Sequence, residues 1–344
     1  MTRPVLVAGA TGFVGRHVIE RLLEQGRSVV GGTRNPERAK RGGPIGTRIT
    51  WRRFDIRDPS SHDPALEGIG DLVYLVHLMR TSGGNLVEQE AKSAHQVVKA
   101  AERSGVRRIV YLGGPQPNTR DTPSHHLNAR LVTGSILRAS SVPTVELQAA
   151  MIIGAESESW RIVRDLALRL PVMALPVWLD RKSEPLGIDD VVDAIVGALD
   201  PAVIAPTCLA LPGPEAVSGR GILERVAAHA GIRPIMVPMP LLGPKVSSHW
   251  IRIITRADFT VARQLVDGLR DDLIATSPTW WEVSRRTPTS LDEAIQRALQ
   301  AEPPSSFPPM QRTWERLVAA LSFSPDEGIA APDRHRRPPD VAGG

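Results

Sequence analysis

Three glycines at spacing three, Gly9, Gly12 and Gly15, follow the apolar run Val5-Leu6-Val7-Ala8, with Thr11, Phe13 and Val14 among them. Glycine lets a backbone turn sharply and come close to a diphosphate, and the free N–H groups at a following helix start carry the partial positive charge such an anion needs. The pattern is that of a dinucleotide site; a structural tight turn is the alternative. About twenty residues further, where such a site reads the ribose, the run Ser28-Val29-Val30-Gly31-Gly32 ends at Thr33-Arg34-Asn35, with Arg38 one helical turn on. NAD sites place Asp or Glu there, and a carboxylate would repel a 2′-phosphate. Thr33, Arg34 and Arg38 instead offer hydroxyl and guanidinium donors, so NADP(H) is favoured over NAD(H). Solvated surface arginines are the alternative reading.

A second set is His126 and Arg130, whose four-residue spacing puts both on one helix face. A histidine can donate a proton near neutral pH, and an arginine beside it can hold ribose hydroxyls or a substrate anion. The same arginine favours the neutral imidazole by like-charge repulsion, so a helix start with exposed polar residues stays open as an alternative. Asp55-Ile56 and Val76-His77 close two further apolar runs. Ligands of open α/β sheets lie beyond the carboxyl ends of strands, which makes these four cofactor-lining candidates. Asp55 could equally cap the turn Arg57-Asp58-Pro59, and His77 could be a polar residue ending a strand.

Such residues need a scaffold, and the chain supplies strands and helices in alternation. Beyond the first two runs, strands are expected at Ile49–Phe54, Leu72–Val76, Arg108–Leu112 and Thr144–Gln148. Helical stripes lie at Val14, Val18, Ile19, Leu22 and Leu23, and at Val87, Ala91, Ala94, Val97, Val98 and Ala101, the second closed by Gly105. A further helix runs from about His125 to Arg138. This predicts an α/β fold, a Rossmann-type doubly wound parallel sheet with a small C-terminal α+β lobe. Residues 1–150 form the NAD(P)-binding core and 151–300 a substrate-side lobe interleaved with the end of the core sheet; 301–344 hold a Pro-rich linker, a short helix with Trp314, Leu317, Val318 and Leu321, and a disordered tail. Trp160, Met173 and Trp178 are candidate walls of a nonpolar pocket, with core packing as the alternative.

Composition narrows the class. The 344 residues are 42% hydrophobic, enough to bury a sizeable core. The single cysteine, Cys208, excludes an internal disulfide and a thiol metal cluster; it reads as a small buried hydrophobe in a strand, and no metal site is expected. The net charge of +5 comes with aromatics at only 4%, so no basic groove with stacking aromatics is visible and no nucleic-acid partner is expected. No run is long enough to span a bilayer, and the first apolar run is the expected cofactor strand, which points to a cytoplasmic protein.

The glycine spacing, GxxGxxG, resembles that of extended and atypical short-chain dehydrogenase/reductases. Further segments narrow the resemblance: Tyr74-Leu75-Val76-His77-Leu78-Met79, Tyr111-Leu112-Gly113-Gly114, His126-Leu127-x-x-Arg130, Ile152-Ile153-Gly154, Arg169-Leu170-Pro171-Val172-Met173 and Pro185-Leu186-x-Ile188-x-Asp190-Val191. Together they look like the NmrA-like NAD(P)H-binding branch, with a looser likeness to about residue 270. The resemblance implies an adenine-contacting role for Asp55. The superfamily's Tyr-x-x-x-Lys pair is absent here, as it is in that branch: Tyr74 and Tyr111 are the only tyrosines, and both fall inside expected strands. Val132-Thr133-Gly134 departs from the branch's common Glu-Val-Gly, so a helix-borne carboxylate is lost at that point. The expected activity is NADPH-dependent reduction of a small apolar carbonyl, quinone or activated alkene. A non-catalytic NADP(H)-sensing regulator or scaffold is the other expectation. Oligomeric state and the identity of the small-molecule substrate stay open.

Overall fold

The computed structural model describes residues 3–43, 45–78, 85–118, 123–239, 272–276, 278–302 and 309–322. Its frame is a seven-stranded sheet built from β1 (Val5–Ala8), β2 (Val29–Thr33), β3 (Thr50–Arg53), β4 (Asp71–Tyr74), β5 (Arg108–Gly113), β6 (Thr144–Ala149) and β11 (Thr207–Leu211). The spatial order is β11-β6-β5-β4-β1-β2-β3, and each neighbouring pair is parallel. The chain reverses direction of winding between β1 and β4, so a crevice opens there at the carboxyl ends of the strands. Strands β1, β4, β5 and β6 are buried along their whole length, as continuous Val/Ile/Leu-rich runs covered on both faces must be.

Helices cover both faces. On one, α1 (Phe13–Glu24) and α7 (Ile188–Gly197) bury Val18, Ile19, Leu22, Val191, Val192 and Ile195 against the sheet. On the other, α3 (His62–Leu66), α4 (Leu86–Arg103) and α5 (His125–Arg138) bury Leu66, Val97, Val98, Ala101 and Leu137. The caps are those the residue types favour: Asn85 Oδ1 accepts from the Val87 amide at 3.0 Å, Ser124 Oγ from the Leu127 amide at 3.4 Å, and Gly105 takes φ +64° to end α4. The third strand is shorter than the expected Ile49–Phe54. Its partner β2 ends at Thr33, and the Phe54 amide makes the last bond, to the Thr33 carbonyl at 2.9 Å.

After β6 the chain leaves the sheet, builds a lobe, and returns with β11. The lobe holds α6 (Glu158–Arg169), α8 (Gly219–His229), α10 (Leu291–Ala301) and α11 (Pro309–Ser322), with the short α9 (Trp280–Ser284) lying against β11. Short strand pairs join it: β7 (Ile152–Ile153) with β10 (Leu186–Gly187), β8 (Val172–Leu175) with β13 (Ile235–Pro238), and β9 (Lys182–Ser183) with β12 (Val217–Ser218). The lobe has its own core, in which Trp160 is fully buried and Met173 is 2% exposed. This corrects the expectation that these two wall a ligand pocket: both point into packing among Leu168, Ile222, Val226 and Ile295. The Trp178 side chain, the looser likeness over 240–271, the linker at 303–308 and the tail from 325 lie outside the described residues.

A buried ionic cluster pins α11 to α6. Glu315 takes Arg164 in a two-pronged pair (3.0 and 3.2 Å) and Arg169 Nε at 3.2 Å, while Asp165 holds both arginines at 3.1 Å. Trp314 Nε1 donates to the Arg169 carbonyl at 3.0 Å, satisfying a group left open at the end of α6.

Candidate functional site

The site begins where β1 runs into α1. Gly9 sits at φ +89°, in the left-handed region, and its N–H and that of Ala10 both donate to the Gly32 carbonyl on β2. A Cβ on Gly15 would stand 2.3 Å from the Gly9 carbonyl oxygen and 3.0 Å from the Ala10 Cα, so the loop and the first turn of α1 touch backbone to backbone. Gly12, the N-cap, offers no side chain to the amides of that turn, and no acidic residue lies in it. Open donors and an uncompensated helix dipole therefore face the crevice, which fits a dinucleotide diphosphate. Replacing Gly15 with alanine is expected to lower NADPH affinity at least tenfold in a fluorescence titration and to lower Tm. Unchanged binding would show that the loop has slack.

One cleft of about 790 Å³ runs outward from this loop. Of the expected site residues, Gly9, Gly12, Phe13, Val14, Gly15, His77, His126 and Arg130 all line it. Thr11 is exposed beside it and does not line it. Across the cleft mouth, Arg16 on α1 pairs with Glu156, a non-glycine residue held at φ +73° just before α6. The far wall is apolar, formed by Ile162 and Leu166 on α6, Leu179, and Ile222 and Leu223 on α8.

Thr33, Arg34 and Arg38 stand at the end of β2 and the start of α2 (Pro36–Lys40), outside that cleft lining. Arg34 and Arg38 are exposed, and among the described residues neither guanidinium enters an ion pair. The one carboxylate of α2, Glu37, is taken by Lys40 at 2.8 Å. Asp55 follows β3, where its Oδ1 accepts from the Arg57 amide at 3.0 Å and so closes the turn. Ile56 is 2% exposed and belongs to the second core, as a packing residue. Val76 packs against the same core.

Around His77 the cleft wall becomes polar. Burial first, and then the Arg130 charge and that of His126 when protonated, push the His77 imidazole well below its ordinary pKa, so it is neutral at physiological pH. Its ring meets Tyr111 edge-on at 5.9 Å, and among the described residues its Nδ1 has no hydrogen-bond partner. Arg130 donates to the carbonyls of Leu112 (3.3 Å) and Gly113 (3.0 Å), tying α5 to the end of β5, and its own carbonyl accepts from the Tyr111 hydroxyl at 3.1 Å. Tyr74 and Tyr111 are sealed in the core, where burial raises both hydroxyls above their usual pKa. Neither replaces a cleft-facing catalytic tyrosine.

Sequence reasoning missed Glu90. This α4 residue is 2% exposed and lines the cleft; its Oε1 accepts from the Leu78 amide, while among the described residues Oε2 has no hydrogen-bond partner. Burial raises its pKa, opposed by the Leu78 amide, the Arg130 charge and the nearby Thr133 hydroxyl, which makes no bond of ordinary geometry. The signal was present: Glu90 lies four residues from both Leu86 and Ala94, on the apolar side of the helix.

Cys208 departs from expectation as well. It is half-buried on β11 and borders a second cavity of about 440 Å³ with Arg138, Gln148 and Glu184. Burial raises its thiol pKa, so it is an inert thiol at neutral pH. Among the described residues there is no group of His, Cys, Asp and Glu that could hold a metal ion, and no helix is long and apolar enough to cross a membrane.

Comparison with known proteins agrees with this geometry. Residues 9–171 match a family model described as NAD(P)H-binding. Cinnamoyl-CoA reductase 1 of Petunia hybrida is 30% identical over 112 residues, 31% of this chain and 34% of that protein. An uncharacterized protein of Mycobacterium tuberculosis is 27% identical over 241 residues, 69% of this chain and 24% of that one. The chain thus spans about a third or less of these relatives' length. Among solved structures, the NADP(H) complex of Citrobacter triphenylmethane reductase superposes with a TM-score of 0.65 at 18% identity, covering 86% of this chain and 100% of that one. The NADPH complex of an Escherichia coli NADPH-dependent quinone oxidoreductase gives 0.65 at 20% (85% and 98%). A Staphylococcus aureus nucleoside-diphosphate-sugar epimerase gives 0.66 at 15% (85% and 99%). Identities this low speak for the fold alone. Residues 9–171, which carry the glycine loop at the switch point of a parallel sheet, are thus an NAD(P)H-binding segment on a Rossmann-type fold.

Proposed function

We propose that the protein is an NADPH-dependent oxidoreductase of the NmrA-like branch, acting in the cytoplasm on a small apolar carbonyl, quinone or activated alkene. The observation that carries this is the single cleft joining the glycine loop to the polar patch of His77, Glu90, His126 and Arg130 and to the apolar wall of α6 and α8. A cleft of this volume, mostly apolar with a few convergent polar groups, suits a cofactor end together with a small nonpolar acceptor. Two solved structures of like fold are reductases holding NADP(H) or NADPH, which supports the same reading.

In this reading Gly9, Gly12 and the first turn of α1 hold the diphosphate, and Arg34 and Arg38 take the 2′-phosphate, with Thr33 beside them. Asp55 and the backbone of Ile56 and Val76 flank the nucleotide at strand ends, in keeping with the fold's ligand rule, while the side chains of Ile56 and Val76 pack in the core. Bound reduced nicotinamide would supply a hydride to the acceptor. Arg130, anchored to the end of β5, fixes the helix that presents His126 to the cleft. The apolar wall excludes water from the acceptor side.

A second reading, a dinucleotide sensor or scaffold without turnover, is favoured by one observation: both tyrosines are sealed in the core and the Tyr-x-x-x-Lys pair has no counterpart. Both stereoisomers of 4-deuterated NADPH, each incubated with 9,10-phenanthrenequinone, cinnamaldehyde and 2-cyclohexenone, separate the two. Deuterium in a reduced product above the protein-free control supports the oxidoreductase. Tight NADPH binding with no labelled product for any acceptor supports the sensor.

A further inference from the structure

We propose that Glu90 is the acid of this site, giving its proton to the oxygen of a carbonyl acceptor held in the cleft; the inference rests on the oxidoreductase reading above. Three features of place converge on it. Glu90 borders the same cleft as the glycine loop and His126. Its Oε1 is fixed by the Leu78 amide, so the carboxyl is oriented by the loop that leaves β4. Its Oε2 is buried and, among the described residues, makes no hydrogen bond of ordinary geometry, with only the Thr133 hydroxyl nearby, and a buried polar atom in that state is stabilised by a partner that enters. An acceptor oxygen arriving in the cleft is such a partner for a carboxylic acid O–H, and it would repel an ionised carboxylate.

The surroundings decide which group holds a proton to give. Tyr74 on β4 and Tyr111 on β5 are buried neighbours of Glu90, and a charge on Glu90 raises both phenols, so neither hydroxyl neutralises it. Among the described residues Arg130 on α5 is the guanidinium whose charge acts on it, and that charge is shared with the carbonyls of Leu112 and Gly113. Thr133 on α5 and the Leu78 amide are its further polar neighbours among the described residues. His77, on the adjoining loop, is held neutral and carries no surplus proton, while His126 stands on the cleft wall beyond it. Burial therefore keeps Glu90 protonated to a higher pH than an exposed glutamate.

A hydride from the reduced nicotinamide forms the new C–H bond at the carbonyl carbon, and the nicotinamide is oxidised. The C=O π pair moves to oxygen, which forms an O–H bond as the Glu90 O–H breaks. Glu90 is left as a carboxylate and recovers a proton from water through the cleft mouth.

Glu90→Gln keeps a carbonyl oxygen for the Leu78 amide and removes only the titrating proton. With 9,10-phenanthrenequinone and cinnamaldehyde as probes, the wild type is expected to lose kcat as pH rises through a pKa above the ordinary glutamate range. Glu90→Gln should lower kcat for the aldehyde by about 10²-fold or more, with KM and the NADPH dissociation constant within about threefold, and should lack that pH limb. A kcat within threefold of wild type, or an unchanged limb, overturns the assignment and leaves His126 as the acid. If the wild type reduces neither probe, the acceptor class above is what fails, and a second measurement still decides Glu90. A carboxyl whose folded pKa is raised stabilises the fold below its unfolded pKa and loses that contribution as pH climbs, whereas glutamine does not titrate. The Tm of Glu90→Gln relative to wild type should accordingly rise between pH 5 and pH 8. A constant difference over that range would mean that Glu90 is already ionised, which overturns the proposal without reference to activity.

Discussion

Glu315→Ala is expected to destabilise the protein by about 3 kcal/mol, at the lower end of the 3–5 kcal/mol typical for breaking a buried ion pair. Glu315 is 9% exposed and meets two arginines, of which Arg164 is 2% exposed. Truncation leaves both guanidinium groups in a medium too dry to solvate them. The lower end applies because Asp165 still bridges Arg164 and Arg169, and Glu302 stands 3.8 Å from Arg164. At an unfolding entropy of about 2.1 cal/mol/K per residue, the change corresponds to a Tm lower by about 4 °C. Glu315→Gln, which keeps acceptor capacity and loses only charge, should cost less. A denaturation curve for Glu315→Ala within 0.5 kcal/mol of wild type would mean that α11 is not seated on α6 as described. Because α6 also carries Ile162 and Leu166 to the cleft wall, loss of the anchor should weaken acceptor binding in parallel.

The other large effect concerns the choice of dinucleotide. Arg34→Ala should lower the preference for NADPH over NADH by about 10- to 150-fold, the equivalent of about 1.5–3 kcal/mol for a hydrogen bond to a charged group. Only one guanidinium is lost, since Arg38 lies one turn further along the same surface and can retain part of the charge. Arg34→Glu should go further and favour NADH, because a carboxylate there repels a 2′-phosphate and accepts from ribose hydroxyls. Parallel titrations with both cofactors measure this. Equal loss for NADPH and NADH would place Arg34 elsewhere on the nucleotide, and no loss for either would make it a solvated surface residue.

Much of the fold was legible because the relevant signals are local. Val5–Ala8 before the glycines, the stripe on α1, and the helix expected from about His125 to Arg138 each rest on a dozen or so residues, and each element formed where its pattern placed it. What failed was long-range. Trp160 and Met173 have the character of pocket walls and of core equally; which they become depends on how α6 and β8 are turned against α8 and α10, and no short window contains that. Arg164, Asp165 and Arg169 look like a wet helix face until Glu315, 151 residues beyond Arg164, is folded against them. Cys208 read as buried because its strand is apolar, yet β11 is the outer strand of the sheet and one side of it stays open.

Glu90 is the instructive case at the site. Reading α4 by its apolar positions alone passes over a carboxylate standing in their midst, although a charge at such a position is costly unless something uses it. The same helix periodicity that located the core residues Ala94, Val97 and Ala101 also located Glu90; only the residue type was discordant.

The late return of β11 bears on how the protein is made. Its pairing partner, β6, ends at Ala149, and the strand that covers it spans Thr207–Leu211, so an emerging chain carries an unpaired edge through the synthesis of the intervening lobe segment. Parallel pairing across such a separation is slow to form, and open edges invite association with other chains. A fragment cut at the end of the nucleotide-binding match would retain the glycine loop and lose the strand that closes the sheet. Expression of that half alone should therefore give aggregates, and chaperone demand during synthesis should peak before residue 211 leaves the ribosome.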